Sequence, residues 1–208
     1  MFVLTTVSDT VKVEPTHFRK DPIDAIKDEI NRKFANRVIH QVGLCISAFD
    51  ILETSDGLIY HSDGGLNYET TFRLVVFRPF IGEVLVGKIR SSSEKGIKVS
   101  LHFMDDIIIP PSCLPENSEF DTQEQVWVWK YDGNDLFMDP GEIIRFRVVE
   151  ELFIEAAPEA PRKEAADVTP ITLPLSKEKS ELKIQPSPYS LTCSIQEDGL
   201  GLLAWWGS

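Results

Sequence analysis

Cysteine, histidine and long apolar runs are scarce in this sequence, and each scarcity excludes a class of protein. The three cysteines, Cys45, Cys113 and Cys193, lie far apart, so the sequence predicts neither a disulfide framework nor a thiolate metal site and favours a reducing compartment. The four histidines show no HExxH or paired metal spacing. No apolar run reaches membrane-spanning length, and the N-terminus lacks the basic start of a signal peptide. We therefore expect a protein of the cytosol or nucleus that has no membrane partner.

Motifs for catalysis are absent too. The sequence contains no P-loop and no dinucleotide-binding fingerprint. Asp105 and Asp106 form an acidic pair of the kind that acid–base or metal chemistry uses, but aspartate favours turns, so we interpret the pair as a turn between strands. No nucleophile has an adjacent base, so a free-standing hydrolase is the weakest hypothesis. We expect no catalytic residues and no cofactor.

The charge balance is strongly acidic. The formal net charge is -12 at pH 7, whereas proteins that bind nucleic acid by themselves usually present a basic surface. Two arrangements remain open: a local basic patch, or a subunit whose basic partner supplies most of the electrostatic field. With 208 residues, of which 42% are hydrophobic, the chain suits one large domain or two small ones.

The start of the chain combines strand and helix signals. Residues 1–14 alternate as a strand, and Asp21 followed by Pro22 is typical of a helix start. The helix is predicted to fade near Asn36. Its buried face should carry Ile23, Ile26, Ile30 and Phe34, and its solvated face Asp28, Glu29, Arg32 and Lys33.

Two more strands complete an N-terminal domain at 1–79. The β-branched stretch 38–52 predicts one long strand, in which Gly43 marks a bulge or a close backbone contact, and 69–80 predicts another strand. Pro79 cannot lie in the middle of a sheet, so we place the domain boundary there. The sequence thus predicts an α+β protein of two domains.

The second domain, 80–208, opens with a β-meander. Alternation predicts strands at 84–90 and 97–104, joined by the turn 91–96, and a third strand at 107–109. Three short strands with tight turns are typical of a small β-barrel. An ordinary three-stranded sheet is an equal interpretation of the pattern alone.

Later segments extend this domain. Residues 125–132 and 142–154 predict further strands. Residues 155–188 contain no aromatic residue and are rich in Pro, Glu, Lys and Ser, which predicts a disordered insert. The apolar pattern returns at 189–208, and we expect this C-terminal hairpin to dock on the barrel and complete it.

Basic and aromatic side chains on the predicted strands form two candidate sites. Phosphates of single-stranded nucleic acid meet cations on the outer face of small barrels, although a solvated face is the alternative. The candidate nucleic-acid-binding residues are Lys88, Arg90, Lys98 and His102. Large aromatic side chains on an outer face commonly mark protein contacts. The candidate partner interface comprises Trp127, Trp129, Trp205 and Trp206.

Several stretches carry a resemblance to a known family. They are MFVL and DTVKV at the start, NRVIHQVGLCISAFDI, VVFRPFIGEVLVGKI, DDIIIPP, EQVWVWKY, GEIIRFRVVEE and the terminal GLGLLAWW. Together they resemble the larger stalk subunits of nuclear RNA polymerase III, which are related to those of RNA polymerase II and of the archaeal enzyme. The resemblance covers nearly the whole chain outside 155–188.

This resemblance implies a truncated ribonucleoprotein-like N-terminal domain that docks on the polymerase core, and a C-terminal OB-fold barrel that binds nascent RNA. It also implies an obligate heterodimer with a smaller, mostly helical stalk subunit, contacts with initiation factors, and a role in transcription initiation in the nucleus without catalysis of its own. The alternative is a scaffold for initiation factors with no direct RNA role, which the charge of -12 favours.

Overall fold

The computed structural model describes residues 2–60, 64–154 and 187–206, and its architecture is α+β, as predicted. An antiparallel sheet packed against one helix forms the N-terminal domain, and a closed β-barrel forms the C-terminal domain. The N-terminal elements are β1 (Phe2–Val13), α1 (Pro22–Phe34), β2 (Arg37–Ile39), β3 (Gly43–Thr54), β4 (Leu58–Ile59) and β5 (Leu66–Phe77). The strand order is β1-β5-β3-β2, and β4 pairs with β5.

The sequence around Asp21 makes α1 begin where it does. The Asp21 carboxylate accepts a hydrogen bond from the backbone N–H of Ile23 at 2.9 Å, and Pro22 lies in the first turn, where no N–H partner is needed. The helix then packs on the sheet in one hydrophobic cluster. From the helix, that cluster contains Ala25, Ile26 and Ile30.

Two residues of α1 lie on the opposite side from the prediction. Ile23 is 57% exposed, whereas Glu29, predicted to be solvated, is 6% exposed. The buried face is therefore rotated toward Glu29. A buried carboxylate needs charged partners, and here Arg32 Nη2 lies 2.5 Å and His17 Nδ1 3.3 Å from the Glu29 carboxylate oxygens.

The predicted strand 38–52 is in fact two strands. Gln41 adopts a φ of 61°, the chain reverses there, and β2 pairs antiparallel with β3. Gly43 follows with a φ of 130°. A Cβ atom on Gly43 would lie 2.7 Å from the carbonyl oxygen of Phe77, so the predicted close backbone contact is confirmed and only glycine fits.

The C-terminal strands close into a barrel. They are β6 (Val84–Ser93), β7 (Gly96–Ser100), β8 (Ile107–Ile109), β12 (Ile143–Phe153), β13 (Tyr189–Ser194) and β14 (Gly201–Leu202). Their order is β13-β8-β7-β6-β12-β14, and a further β12–β13 pairing closes the sheet. A separate sheet contains β9 (Ser118–Asp121), β10 (Val126–Tyr131) and β11 (Asn134–Met138). The predicted meander is confirmed, and the C-terminal segment docks on the barrel as predicted. The segment is not the predicted hairpin, because β13 and β14 each pair with β12 and not with each other.

Alternation along the barrel strands produces the core. Most inward side chains from β6, β7, β8 and β12 are no more than 1% exposed, whereas their outward neighbours face solvent. Burial of one such side chain stabilises the fold by roughly 1.5–3 kcal/mol. These inward residues include Ile89, Ile97, Val99, Ile107, Ile109 and Phe146.

The structure corrects two details of the meander. β6 continues through Ser93, so the turn is shorter than the predicted 91–96. β7 ends at Ser100 and does not reach residue 104, because His102 adopts a φ of 70° and breaks the strand. Met104, which strict alternation would place on the outer face, is therefore 6% exposed and belongs to the core.

The two domains contact each other through Arg78. Its guanidinium donates to the Glu151 carboxylate of β12 from Nη2 at 2.6 Å and from Nε at 3.1 Å. It also donates from Nη1 to the carbonyl oxygen of Gln41 at 2.7 Å. Pro79 lies between the end of β5 and the start of β6. The domain boundary that we place at Pro79 stays a prediction.

The predicted insert 155–188 lies outside the described residues, except at its end. Ser187 donates to the Asp106 carboxylate at 2.8 Å, and the carbonyl oxygen of Pro188 accepts from the N–H of Ile154 at 3.0 Å. These two residues therefore belong to the barrel. Across the described ranges, no helix is both long enough and apolar enough to cross a membrane.

Candidate nucleic-acid interface and aromatic surface

A shallow depression on the barrel gathers three of the four predicted RNA-binding side chains. Lys88 and Arg90 line it from β6, and His102 lines it from the loop after β7. Pro140 and Gly141 also line it, and its volume is about 470 Å³. We call this surface the basic depression.

The pairing of β6 with β7 positions these side chains. Lys88 lies opposite Ser100, and the register then shifts between Ile89 and Ser91, so Arg90 lies in a β-bulge. A bulge bends the strand and re-aims the side chain that it carries. Both cations consequently lie on the outer face, next to the loop that follows β7.

Lys98, the fourth predicted residue, lies on the same outer face but does not line the depression. It is exposed on β7, opposite Ser91 of β6 and Ile108 of β8. Within the described part of the chain, neither Lys98 nor Lys88 has a carboxylate partner. Both ammonium groups are therefore available to an anionic ligand.

Arg90 differs from the two lysines because its charge is paired. Its guanidinium forms an ion pair with Asp105, and Ser100 Oγ donates to the same carboxylate at 2.6 Å. The bond from Ser100, and after it the contact with Arg90, lowers the pKa of Asp105 below its usual range. Asp105 thus stays ionised and fixes Arg90 at the rim of the depression.

The loop after β7 holds His102 in place. Its backbone N–H donates to Ser100 Oγ at 3.2 Å, and its side chain is exposed. An exposed imidazole beside two cations can stack on a base or donate to a phosphate. In the ranges that the structure describes, no three His, Cys, Asp or Glu side chains come together as a metal site.

The four predicted interface tryptophans occupy different environments. Trp127 is 7% exposed, and its indole N–H donates to the carbonyl oxygen of Ser93 at 2.9 Å within the barrel. Trp129 and Trp205 are half-buried, with ring centroids 5.0 Å apart, and Trp206 is 47% exposed. Trp127 therefore offers little surface to a partner, and the other three offer more.

Tyr131 extends this group into an aromatic surface, which we define as Tyr131, Trp129, Trp205 and Trp206. The ring of Tyr131 lies 4.8 Å from that of Trp129. Gly201 makes room for Trp205, because a Cβ atom on it would lie 2.4 Å from the indole ring. The C-terminal segment is thereby held against the sheet that contains β10.

Two arginines of β12 were missing from the predicted site, yet strand pairing places them beside Lys88. Arg145 lies opposite Val86 of β6, and Arg147 lies opposite Val84. The two arginines share a face because they are two residues apart in a strand, and the sequence alone shows this. It gave no information about which strand lies next to them.

Comparisons with known proteins agree with this architecture. Residues 83–206 match the family described as RNA polymerase III subunit Rpc25, and residues 8–64 match the SHS2 domain found in the N terminus of Rpb7p/Rpc25p/MJ0397. DNA-directed RNA polymerase III subunit RPC8 of Bos taurus is 44% identical over 212 residues, covering 100% of both chains. Its counterpart from Schizosaccharomyces pombe is 40% identical and covers 99% of this chain and 100% of the relative.

More distant relatives share part of the chain. DNA-directed RNA polymerase subunit Rpo7 of Saccharolobus solfataricus is 22% identical over 58% of this chain and 67% of its own length. DNA-directed RNA polymerase II subunit RPB7 of Saccharomyces cerevisiae is 25% identical over 58% of this chain. The chain belongs to the Rpc25 family of RNA polymerase III subunits, with an SHS2 domain followed by an OB-fold barrel.

Proposed function

We propose that the chain is a non-catalytic stalk subunit of RNA polymerase III that contacts nascent RNA during transcription initiation in the nucleus. One observation carries the RNA contact: on one barrel face, Lys88 and Lys98 have no carboxylate partner among the described residues, in a chain whose net charge is -12. Exposed cations beside a histidine can bind phosphates with little sequence readout. The absence of a recognisable catalytic motif in the sequence supports an accessory role.

The partners in this proposal are the polymerase core, a smaller stalk subunit and initiation factors. The relatives are named as subunits of RNA polymerases, which supports assembly with a polymerase core. We assign the contact with the smaller subunit to the aromatic surface, because Trp and Tyr are enriched at the centres of protein interfaces. Trp127 supports that surface from within the barrel.

RNA crosslinking to the assembled polymerase tests the RNA contact. The variant combines Lys88→Glu, Arg90→Glu and Lys98→Glu, and we expect RNA crosslinks to this subunit to fall several-fold while it still co-purifies with the polymerase. The loss of two phosphate contacts, those of Lys88 and Lys98, should also reduce the salt slope of RNA binding by about 1.4.

The matched control changes three lysines elsewhere, Lys20, Lys27 and Lys130, to glutamate. It alters the net charge by the same amount without touching the basic depression. Unchanged crosslinking in the depression variant, or an equal loss in the control, would remove the RNA contact from this surface and leave the family assignment intact.

A scaffold without a direct RNA role is the second candidate. The aromatic surface favours it, because Trp206 and Tyr131 expose 47% and 58% of their area. The RNA affinity of the purified heterodimer separates the two functions. Binding that is absent at physiological salt indicates a scaffold, and micromolar binding that weakens as salt rises indicates an RNA contact.

A further inference from the structure

An apolar strip runs along the outer face of β6 and β12. It consists of Val84, Val86, Ile143 and Val149, and it continues at one end into Phe80 and Ile81 of the loop before β6. Each of these side chains is between 43% and 67% exposed. We call this surface the β6–β12 strip. Six exposed large apolar side chains on one surface differ from the singly scattered ones of an ordinary surface.

Strand pleating explains why the strip faces outward. Phe146, between Arg145 and Arg147 on β12, is fully buried in the barrel, and the alternate residues therefore point away from it. The register sets Val86 and Val84 opposite those two arginines. Since the inward set already fills the core, the outward apolar set contributes little to the stability of the barrel.

Cations alternate with the apolar side chains of the strip. Across the β6–β12 pairing, Arg147 lies opposite Val84, and Arg145 lies opposite Val86. Lys88 continues the pattern, because its partner on β12 is Ile143. Every outward pair therefore combines one aliphatic side chain with one cation.

Within the described residues, the charges of Lys88, Arg145 and Arg147 are only partly neutralised by carboxylates. Lys88 has no carboxylate partner there, and Arg145 donates from Nη1 to the carbonyl oxygen of Gly199 at 3.2 Å, which leaves its charge uncompensated. Arg147 Nη2 lies 2.8 Å from the Glu197 carboxylate, while its Nε is buried without a partner. In a chain of net charge -12, such a row of cations is a local exception.

Hydrogen bonds tie the loop at the end of the strip to itself and to β12. The backbone N–H of Phe80 donates to the Glu83 carboxylate at 3.1 Å, and that of Gly82 donates to the carbonyl oxygen of Val148 at 2.8 Å. Phe80 and Ile81 are thus presented by a fixed turn that is bonded to β12. A surface that is already ordered loses little conformational entropy when a partner binds.

We propose that the β6–β12 strip docks an acidic segment of a partner protein that carries apolar residues along one face. The aliphatic side chains would pack on that face, and Arg145 and Arg147 would pair with its carboxylates, which leaves Lys88 to the RNA contact proposed above. RNA fits less well, because bases stack on aromatic rings and the strip contributes only Phe80. The strip from Ile143 to Val149 is about 20 Å long, which a helix of about 13 residues spans.

Site-specific photocrosslinking in the purified polymerase tests this inference. A photoreactive phenylalanine replaces Val86 or Ile143, both of which are about half exposed, so the barrel should fold unchanged. We expect both positions to crosslink to one protein segment that is rich in Asp and Glu and has apolar residues at helical spacing. The control position is Ile108, on the outer face of β8, and it should not reach that segment.

Charge reversal supplies the second arm. Arg145→Glu should lower the crosslink yield at Val86 about tenfold, because it places a carboxylate against an acidic partner. If Arg145→Glu does not fold, Arg145→Ala replaces it: this variant removes the cation without adding a carboxylate, and it should also lower the crosslink yield at Val86. Crosslinks to RNA, to a second copy of this chain, or to a neutral or basic segment would overturn the inference, and so would no crosslink from either position. None of these outcomes bears on the RNA contact of Lys98.

Discussion

Substitution of Gly96 tests how tightly the barrel closes. Gly96 begins β7 with a φ of 129°, a backbone conformation that side chains rarely adopt. A Cβ atom there would lie 2.3 Å from the carbonyl oxygen of Ile109 and 3.1 Å from Pro110 Cα. Both atoms are backbone at the end of β8, and they cannot retreat without disturbing the β7–β8 pairing, in which Ile97 lies opposite Ile109.

The expected loss has two parts. The strained backbone of Gly96→Ala costs roughly 1–3 kcal/mol. Forcing a methyl group against fixed backbone costs roughly another 1–3 kcal/mol. Gly133→Ala is the matched control, because Gly133 has a φ of 79° and no atom lies within 4 Å of its added Cβ. Gly133→Ala should lower the free energy of unfolding only by the cost of the strained backbone, roughly 1–2 kcal/mol.

Urea unfolding followed by tryptophan fluorescence measures the difference. All four tryptophans lie in the C-terminal domain, so this signal reports on the barrel and its attached sheet. With a slope of about 2 kcal/mol per molar urea, the midpoint should fall by about 2 M for Gly96→Ala and by less than about 1 M for Gly133→Ala. Equal shifts in the two variants would refute the close contact with β8.

Two further predictions concern thiol reactivity and acid stability. Burial raises the pKa of Cys45 to about 11 and that of Cys193 to about 12, so only Cys113 should react quickly with a disulfide reagent at pH 8, and rapid reaction of a second thiol in the folded chain would contradict this. The hydrogen bond from Arg73 lowers the pKa of Asp50, so this pair stabilises the fold above the unfolded pKa and stops doing so as pH falls through the folded value. Asp50→Asn should therefore weaken the loss of stability in acid, measured by circular dichroism, and an unchanged acid transition would count against the pair.

Local rules predicted most of the elements. Asp21 and Pro22 start α1 because a cap involves only atoms of the first turn. The alternation of Ile97 and Val99 with polar residues placed them inside the barrel, whatever their neighbours were. Each of these features depends on residues that are close together in the sequence.

Distant contacts explain the errors. Met104 leaves the predicted strand and joins a buried cluster that includes Leu44 of the N-terminal domain. Glu29 is buried because His17 and Arg32 lie against its carboxylate, and the turn that carries His17 precedes the helix. The helical or strand periodicity of a sequence does not show which residues from other elements pack against a given side chain.

The candidate site shows the same division. Lys88 and Arg90 were predicted to share a face, and both line the basic depression. The ion pair of Arg90 with Asp105 was not predicted, since the acid comes from a loop beyond β7. Trp127 and Trp129 are two residues apart and therefore share a face of β10. Of these two, only Trp127 is buried in the barrel core.

The order of the amino acids is enough to predict the local features: the strand faces, the helix start, the acidic balance and the stretches that resemble a family. Tertiary structure alone decided which strands are neighbours, and with that the row formed by Lys88, Arg145 and Arg147. The physical reason is that strand pairing joins residues more than fifty positions apart, such as Lys88 and Ile143, through backbone hydrogen bonds that are the same for every side chain.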